Sequence, residues 1–238
     1  MKLGFIGTGT IATAVVRGLA PEGHEIIVSE RSRTNSAALA AEHENVTAAP
    51  NAQVVEAAEA ICIALLPEHL DTALGGLPFR EGQRILSFMA DVPLERLQAL
   101  CAPATVEGLV LPFPAIAHGR APLLAWPRSE LAEALFANHD LFTLQSAEEF
   151  KALLSAQAVL SPAATLVATA ADWAAGQGAD ADTAEAFLRS LVAANLSAST
   201  LESLLAALDT PGGYNARLRD HMEEAGMPAA LRAGLSGL

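Results

Sequence analysis

The chain of 238 residues carries 27 acidic against 14 basic residues, a formal net charge of -13, and 52% of it is hydrophobic. That length suits one large domain or two modest ones with a core that needs no disulfides. The charge argues against nucleic acid and anionic membrane as partners, since both are held mainly through Lys and Arg. Apolar runs are broken by Pro, Glu, His or Asp before the ~20 residues that a membrane span requires.

The two cysteines, Cys62 and Cys101, lie far apart in or near apolar segments. Neither a disulfide framework nor paired zinc ligands follow from that spacing, and both are expected to be reduced and structural. None of the six histidines pairs with another at metal-ligand spacing, so no metal is expected. A strand-like segment begins at Lys2 and leaves no room for a leader, so a cytoplasmic location is expected.

In chain order, short apolar runs predict strands at Leu3–Ile6, Glu25–Ser29, Ala60–Leu65, Arg84–Met89, Val106–Leu111 and Leu123–Ala125. Between them, helices are expected at Ile11–Leu19, Ser36–Glu42, Leu70–Leu77 and Leu94–Leu100, where apolar or small residues recur at helical spacing. This alternation is the pattern of an α/β protein with an N-terminal Rossmann doubly wound sheet. Strand signals stop near Leu144, and two Ala- and Leu-rich helical stretches follow, Ala147–Ala175 and Asp182–Leu208, separated by Gly176-Gln177-Gly178. Asp182 or Thr183 is a candidate cap for the second. Its apolar positions spread too widely for one exposed amphipathic face, so a partner surface is expected. The expected domains are therefore 1–146 and an all-helical 147–238.

Gly7-Thr8-Gly9-Thr10-Ile11-Ala12 follows the first strand and opens a helix, the setting that gives a glycine pattern its meaning. Gly7 permits the tight turn, Gly9 lets the backbone approach a pyrophosphate, and small Ala12 lets the helix pack on the strand. The anion would sit on the N-H groups at the helix N-terminus.

The second strand ends in Ser29-Glu30-Arg31-Ser32-Arg33, where such folds read the adenosine ribose. Glu30 could accept hydrogen bonds from the ribose hydroxyls of NAD. Arg31 and Arg33, with Ser29, Ser32 and Thr34 around them, could instead clamp the 2'-phosphate of NADP. Two arginines in so acidic a chain favour NADP, with NAD possible; a solvated loop with Glu30 paired to an arginine is the bland alternative.

Lys2 to Leu19, taken as a whole, resembles the opening of pyrroline-5-carboxylate reductases, and Thr210-Pro211-Gly212-Gly213-Tyr214-Asn215 is similar to their Ser-Pro-Gly-Gly-Thr-Thr. The order of elements agrees along nearly the whole chain. The resemblance implies a Rossmann domain followed by a helical dimerisation domain, a homodimer, and a substrate held near the nicotinamide. Departures from the family fall where it handles cofactor or substrate. Leu65-Leu66-Pro67 stands for Val-Lys-Pro, which places Leu66 and Pro67 on the cofactor side, and Ala90-Asp91 stands for Ala-Gly. Leu111-Pro112-Phe113-Pro114-Ala115 lacks the polar pair of Met-Pro-Asn-Thr-Pro-Ala, and Ser155 to Ser161 matches Ser-Gly-Ser-Gly-Pro-Ala-Tyr only weakly. Tyr214-Asn215 replaces the Thr-Thr that helps hold the substrate carboxylate.

Hydride transfer to an imine needs little acid-base machinery, so positioning is the main task. Asp91, after a strand end, could stabilise an iminium; its alternative is an N-cap for the helix starting near Pro93 or Leu94. Pro211, Gly212, Gly213, Tyr214 and Asn215 form the best substrate-side candidate, because glycines before a helix expose N-H groups suited to a carboxylate. Tyr214 could donate a proton and Asn215 a hydrogen bond. His118, beside Gly119 and Arg120, could face the cleft but reads more readily as an exposed loop residue, and no catalysis is assigned to it. The expectation is an NAD(P)H-dependent reductase of a carbon-nitrogen double bond, with a different imine or carbonyl substrate, or a non-catalytic NADP-binding protein, as the alternatives.

Overall fold

The structure is a computed structural model that describes all 238 residues. It divides into two compact units, Met1–Phe150 and Lys151–Leu238. The division falls past the 146/147 boundary expected from sequence because Phe150 is buried with the first unit.

The first unit is built on an eight-stranded sheet: β1 (Lys2–Ile6), β2 (Glu25–Ser29), β3 (Val46–Ala49), β4 (Ala60–Ile63), β5 (Arg84–Ser87), β6 (Thr105–Leu111), β7 (Pro122–Trp126) and β8 (Asp140–Thr143). Their order is β3-β2-β1-β4-β5-β6-β7-β8. All neighbours are parallel except β6 and β7. Helices α1 (Thr10–Leu19), α2 (Arg33–Glu42), α3 (Asn51–Ala57), α4 (Leu70–Leu74), α5 (Leu94–Cys101) and α6 (Glu130–Leu135) connect the strands.

Side chains alternate between two buried layers, as a sheet covered on both faces requires. On β1, Leu3 and Phe5 join a cluster with Ala12, Val15, Val16 and Leu19 of α1 and Leu131 and Leu135 of α6. Ile6 faces the other way, into a cluster with Val54, Val55, Leu70, Leu74 and Leu97. Cys62 and Cys101 are both free and buried, and burial pushes their thiols up, Cys101 to about 12. They are therefore inert core residues.

Close packing fixes the position of α1. A Cβ on Gly18 would lie 2.5 Å from the carbonyl oxygen of Ile116, so the helix rests directly on the short turn Pro114–His118.

Two strands and two helices were not anticipated, and each is short. Only Val46 is buried on the edge strand β3, and no residue is fully buried on β8, so neither carries an apolar run. Helix α3 has only seven residues and α6 only six. Strands β4 and β5 end before Leu65 and Met89 because the chain there leaves the ladder for loops. Helix α2 begins three residues earlier than Ser36, whose N-H and hydroxyl both bond the Ser32 carbonyl and extend the first turn.

The second unit holds most of α7 (Ala147–Ala156), then α8 (Leu160–Gly176), α9 (Ala181–Ala198), α10 (Leu201–Leu208), α11 (Tyr214–Glu224) and α12 (Met227–Leu235). Helix α9 is capped by Asp180, which accepts from the Thr183 N-H, rather than by Asp182 or Thr183. The expected second stretch is two helices, because Ser199 is extended and Thr200 caps α10. Of this unit only Ala171, Ala184 and Ala216 are buried. Trp173 is 69% exposed, Phe187 61% and Leu196 52%. Within Ala147–Gly176 an 18-residue window with a mean hydropathy of 1.5 is long and apolar enough to cross a membrane, contrary to the expectation that apolar runs stop short. The same composition suits a helix covered by protein.

A polar hub joins β5, β6 and α6. Glu107 accepts from the Arg84 guanidinium, from the Ser129 hydroxyl at 2.7 Å and from the Leu131 N-H at 3.3 Å. Burial pushes its carboxyl up, but these donors outweigh burial and hold it below the usual carboxylate range. A depressed folded-state pKa gives stability that is present at neutral pH and lost as the pH falls through that depressed value. Glu107→Ala is expected to lower stability by about 1–3 kcal/mol in denaturant unfolding at pH 7. Glu107→Gln should also flatten the loss of stability as the pH falls below the usual carboxylate range. An unchanged acid slope would show that the hub does not titrate with folding.

Candidate active site

The doubly wound topology locates a crevice before any side chain is considered. The chain runs from β1 outward to β3, then returns to β4 on the other side of β1, so loops diverge at the C-terminal ends of β1 and β4. Ligands of such sheets bind at this switch point. Three segments gather there: Gly7 to Ala12 after β1, Leu65 to Pro67 after β4, and Phe88 to Asp91 after β5.

The first segment is tightly determined. Gly7 has φ +97°, and a Cβ on it would lie 2.1 Å from the Ala64 carbonyl oxygen, so both conformation and space demand glycine. Its N-H donates to Ser29 Oγ at 2.9 Å. Thr8 is buried, its hydroxyl bonds the Ser29 carbonyl, and its own carbonyl accepts from Asn35 Nδ2 at 2.6 Å. Gly9 then N-caps α1 with no side-chain cap, and its carbonyl accepts from the Thr13 N-H. A Cβ on Gly9 would meet nothing within 4 Å. The N-H groups of Gly9, Thr10, Ile11 and Ala12 find no protein acceptor, while Ala12 is fully buried against the sheet. Open space, free donors and the positive end of a helix dipole are features that favour an anion.

At the end of β2, Glu30, Arg31 and Arg33 are exposed and Ser32 N-caps α2 with no side-chain cap bond. Neither arginine is in an ion pair, with Glu30 or any other acid. Every other arginine of Met1–Phe150 is engaged: Arg17 with Glu42, Arg84 with Glu107, Arg96 with Asp71, Arg120 with Asp140, Arg128 with Glu133, and Arg80 with the Val55 and Ala58 carbonyls. Ser29 does not belong to this cluster, since it is buried and its hydroxyl is committed to Gly7.

Leu66 is 60% exposed and Pro67 opens a short turn at the β4 end of the crevice. Asp91 is exposed on the loop after β5 and bonds nothing; it does not cap α5, whose N-cap is Pro93. His118 is exposed beside Gly119.

In the second unit, Pro211 and Gly212 form the turn before α11, with Gly212 at φ +73°. The Gly213 N-H is spent on the Thr210 carbonyl, so the glycine donors expected from sequence are partly used. The free donors are instead those of the first turn of α11, which begins at Tyr214 and Asn215. Tyr214 is 90% exposed and Asn215 is exposed. Arg219 bonds Asp209 at 2.6 Å and Asp220 at 2.9 Å, tying both sides of this turn together.

Sequence reading missed Asn35 and the structural role of Ser29. Both act by reaching back to the glycine turn from over twenty residues away, which no local pattern reveals.

Gly7→Ala is expected to cost more than about 2 kcal/mol in thermal unfolding, through strained φ and the clash with Ala64. Gly9→Ala, with open space and an allowed backbone, should leave stability within about 0.5 kcal/mol and act on anion binding alone. Equal destabilisation by both would remove the distinction between a structural and a ligand-facing glycine.

A family model described as NADP oxidoreductase, coenzyme F420-dependent, matches residues 2–91. No curated protein sequence matches the chain. Among solved structures, the chain is similar to a pyrroline-5-carboxylate reductase of Streptococcus pyogenes, with 20% identity, a TM-score of 0.79, and 100% of this chain and 96% of that one covered. A pyrroline carboxylate reductase of Plasmodium falciparum, with NADP bound, is similar at 12% identity and a TM-score of 0.82, covering 100% and 95%. An imine reductase of Myxococcus stipitatus in complex with NADP+ is similar at 19% identity and a TM-score of 0.57, covering 79% and 71%. The chain has the fold of the pyrroline-5-carboxylate reductases, a Rossmann unit followed by a helical one.

Proposed function

We propose that this protein is a divergent member of the pyrroline-5-carboxylate reductase family: an NADP-dependent reductase of a cyclic imine, acting as a homodimer. The observation that carries the cofactor assignment is the pairing of an open Gly9 turn with two unpaired arginines at the end of the adjacent strand. The Plasmodium relative has NADP bound and the Myxococcus relative is in complex with NADP+, which supports the same reading. The residues fit the group: Gly9 to Ala12 present free donors for the pyrophosphate, and Arg31 and Arg33 offer charge for the 2'-phosphate. A bound nicotinamide would supply the hydride.

The chain's own residues have the tasks of binding, orienting and protonating. The first turn of α11, with Tyr214 and Asn215 at its start, would take a substrate carboxylate or other acceptor groups. Tyr214 is the proton donor in this reading, and Asp91 the charge facing an iminium nitrogen. Leu66 and Pro67 would line the nicotinamide side.

A second reading, favoured by one observation, changes only the substrate. Leu66 is largely exposed where the family has lysine, which suits a less polar imine than pyrroline-5-carboxylate. Proline synthesis belongs to the first reading only. A non-catalytic NADP-binding protein is the remaining alternative.

The homodimer is supported by the second unit, whose large apolar side chains have no cover within the chain. A second copy would bury them, and location in the cytoplasm suits both that assembly and the free thiols.

Purified protein should oxidise NADPH in the presence of pyrroline-5-carboxylate or a less polar cyclic imine, and not without substrate. Binding without turnover across the panel would leave the non-catalytic reading. Arg31→Ala with Arg33→Ala should weaken NADPH by at least tenfold relative to NADH; equal losses would remove those residues from cofactor selection. Light scattering should give twice the chain mass. A monomer, or a protein soluble only in detergent, would contradict the dimer.

A further inference from the structure

The bonds between the glycine turn and the β2–α2 segment do more than hold a loop in place. Asn35 lies in the first turn of α2, just after Arg31 and Arg33, and its side-chain amide reaches the Thr8 carbonyl across 27 residues at 2.6 Å. A carbonyl only accepts, so the amide's NH2 must face it. Thr13 Oγ1 approaches the same carbonyl at 3.5 Å.

The peptide joining Thr8 to Gly9 is planar and trans, so its C=O and N-H point in opposite directions. Fixing the Thr8 carbonyl toward α2 therefore fixes the Gly9 N-H to point away from α2. That N-H has no protein acceptor, and Gly9 itself is exposed. A hydrogen bond to the carbonyl also polarises the peptide and strengthens its N-H as a donor.

We propose that Asn35 is a positioning residue that aims the Gly9 N-H at the cofactor's pyrophosphate. This rests on the dinucleotide reading above. It assigns Asn35 to a part of the cofactor that NADP and NAD share, whereas Arg31 and Arg33 address a part that distinguishes them.

Two variants separate this role from simple support of α2. Asn35→Leu keeps the size of the side chain without its donor, and Asn35→Ala removes both; neither adds charge. Calorimetry on the full chain would measure NADPH, NADH and adenosine 2'-monophosphate, the last of which carries no pyrophosphate. Both variants should weaken NADPH and NADH alike, by about tenfold, and leave adenosine 2'-monophosphate within about twofold. Unchanged dinucleotide affinity would overturn the proposal. A loss confined to NADPH, or an equal loss for all three ligands, would also overturn it, since Asn35 would then only support the arginine loop. If the unmodified protein binds neither dinucleotide, the cofactor reading itself falls, an outcome distinct from failure of the variants.

Discussion

The fold turns on one close approach of backbone to backbone. Where β1 ends, Gly7 passes so near the Ala64 carbonyl that no side chain fits, and its positive φ turns the chain into α1. That turn sets the helix N-terminus at the mouth of the crevice between β1 and β4 and points its free N-H groups outward. The same turn is latched from the other side by Ser29 and Asn35. Free donors at the mouth of the crevice thus follow from packing, and the proposed anionic ligand would use them. Their local positive character stands against a chain of net charge -13, which makes two unpaired arginines beside them the more telling.

The helical unit poses the opposite problem. Its helices pair locally, α8 against α9 and α11 against α12, yet leave Trp173, Phe187 and a series of leucines in solvent. Exposed apolar side chains in such number oppose solubility unless another surface covers them. A second copy of the same unit offers a self-complementary cover, and the proposed homodimer follows from that need.

Much of this was legible in the sequence, for stated physical reasons. The strands buried on both faces, β1, β2, β4 and β5, are continuous apolar runs, and the glycine spacing after β1 has few other uses. The edge strands β3 and β8 were not legible, because an edge strand with little burial carries no such run. Cap assignments fared worse: Asp91 caps nothing, and α9 starts from Asp180, since a cap depends on local φ and ψ that residue type alone does not fix. Ser29 looked like part of a phosphate clamp because it sits beside Arg31, but strand alternation turns it inward to Gly7. Asn35 gave no signal at all, since its partner is 27 residues away.

In the proposed reaction a nicotinamide hydride passes to the carbon of a carbon-nitrogen double bond on this protein. The most direct test uses NADPH deuterated at its transferable position, a cyclic imine substrate, and mass spectrometry of the amine formed. One deuterium is expected on the former imine carbon, in amounts equal to the NADPH consumed. An unlabelled amine, or NADPH consumption unrelated to amine formed, would contradict it.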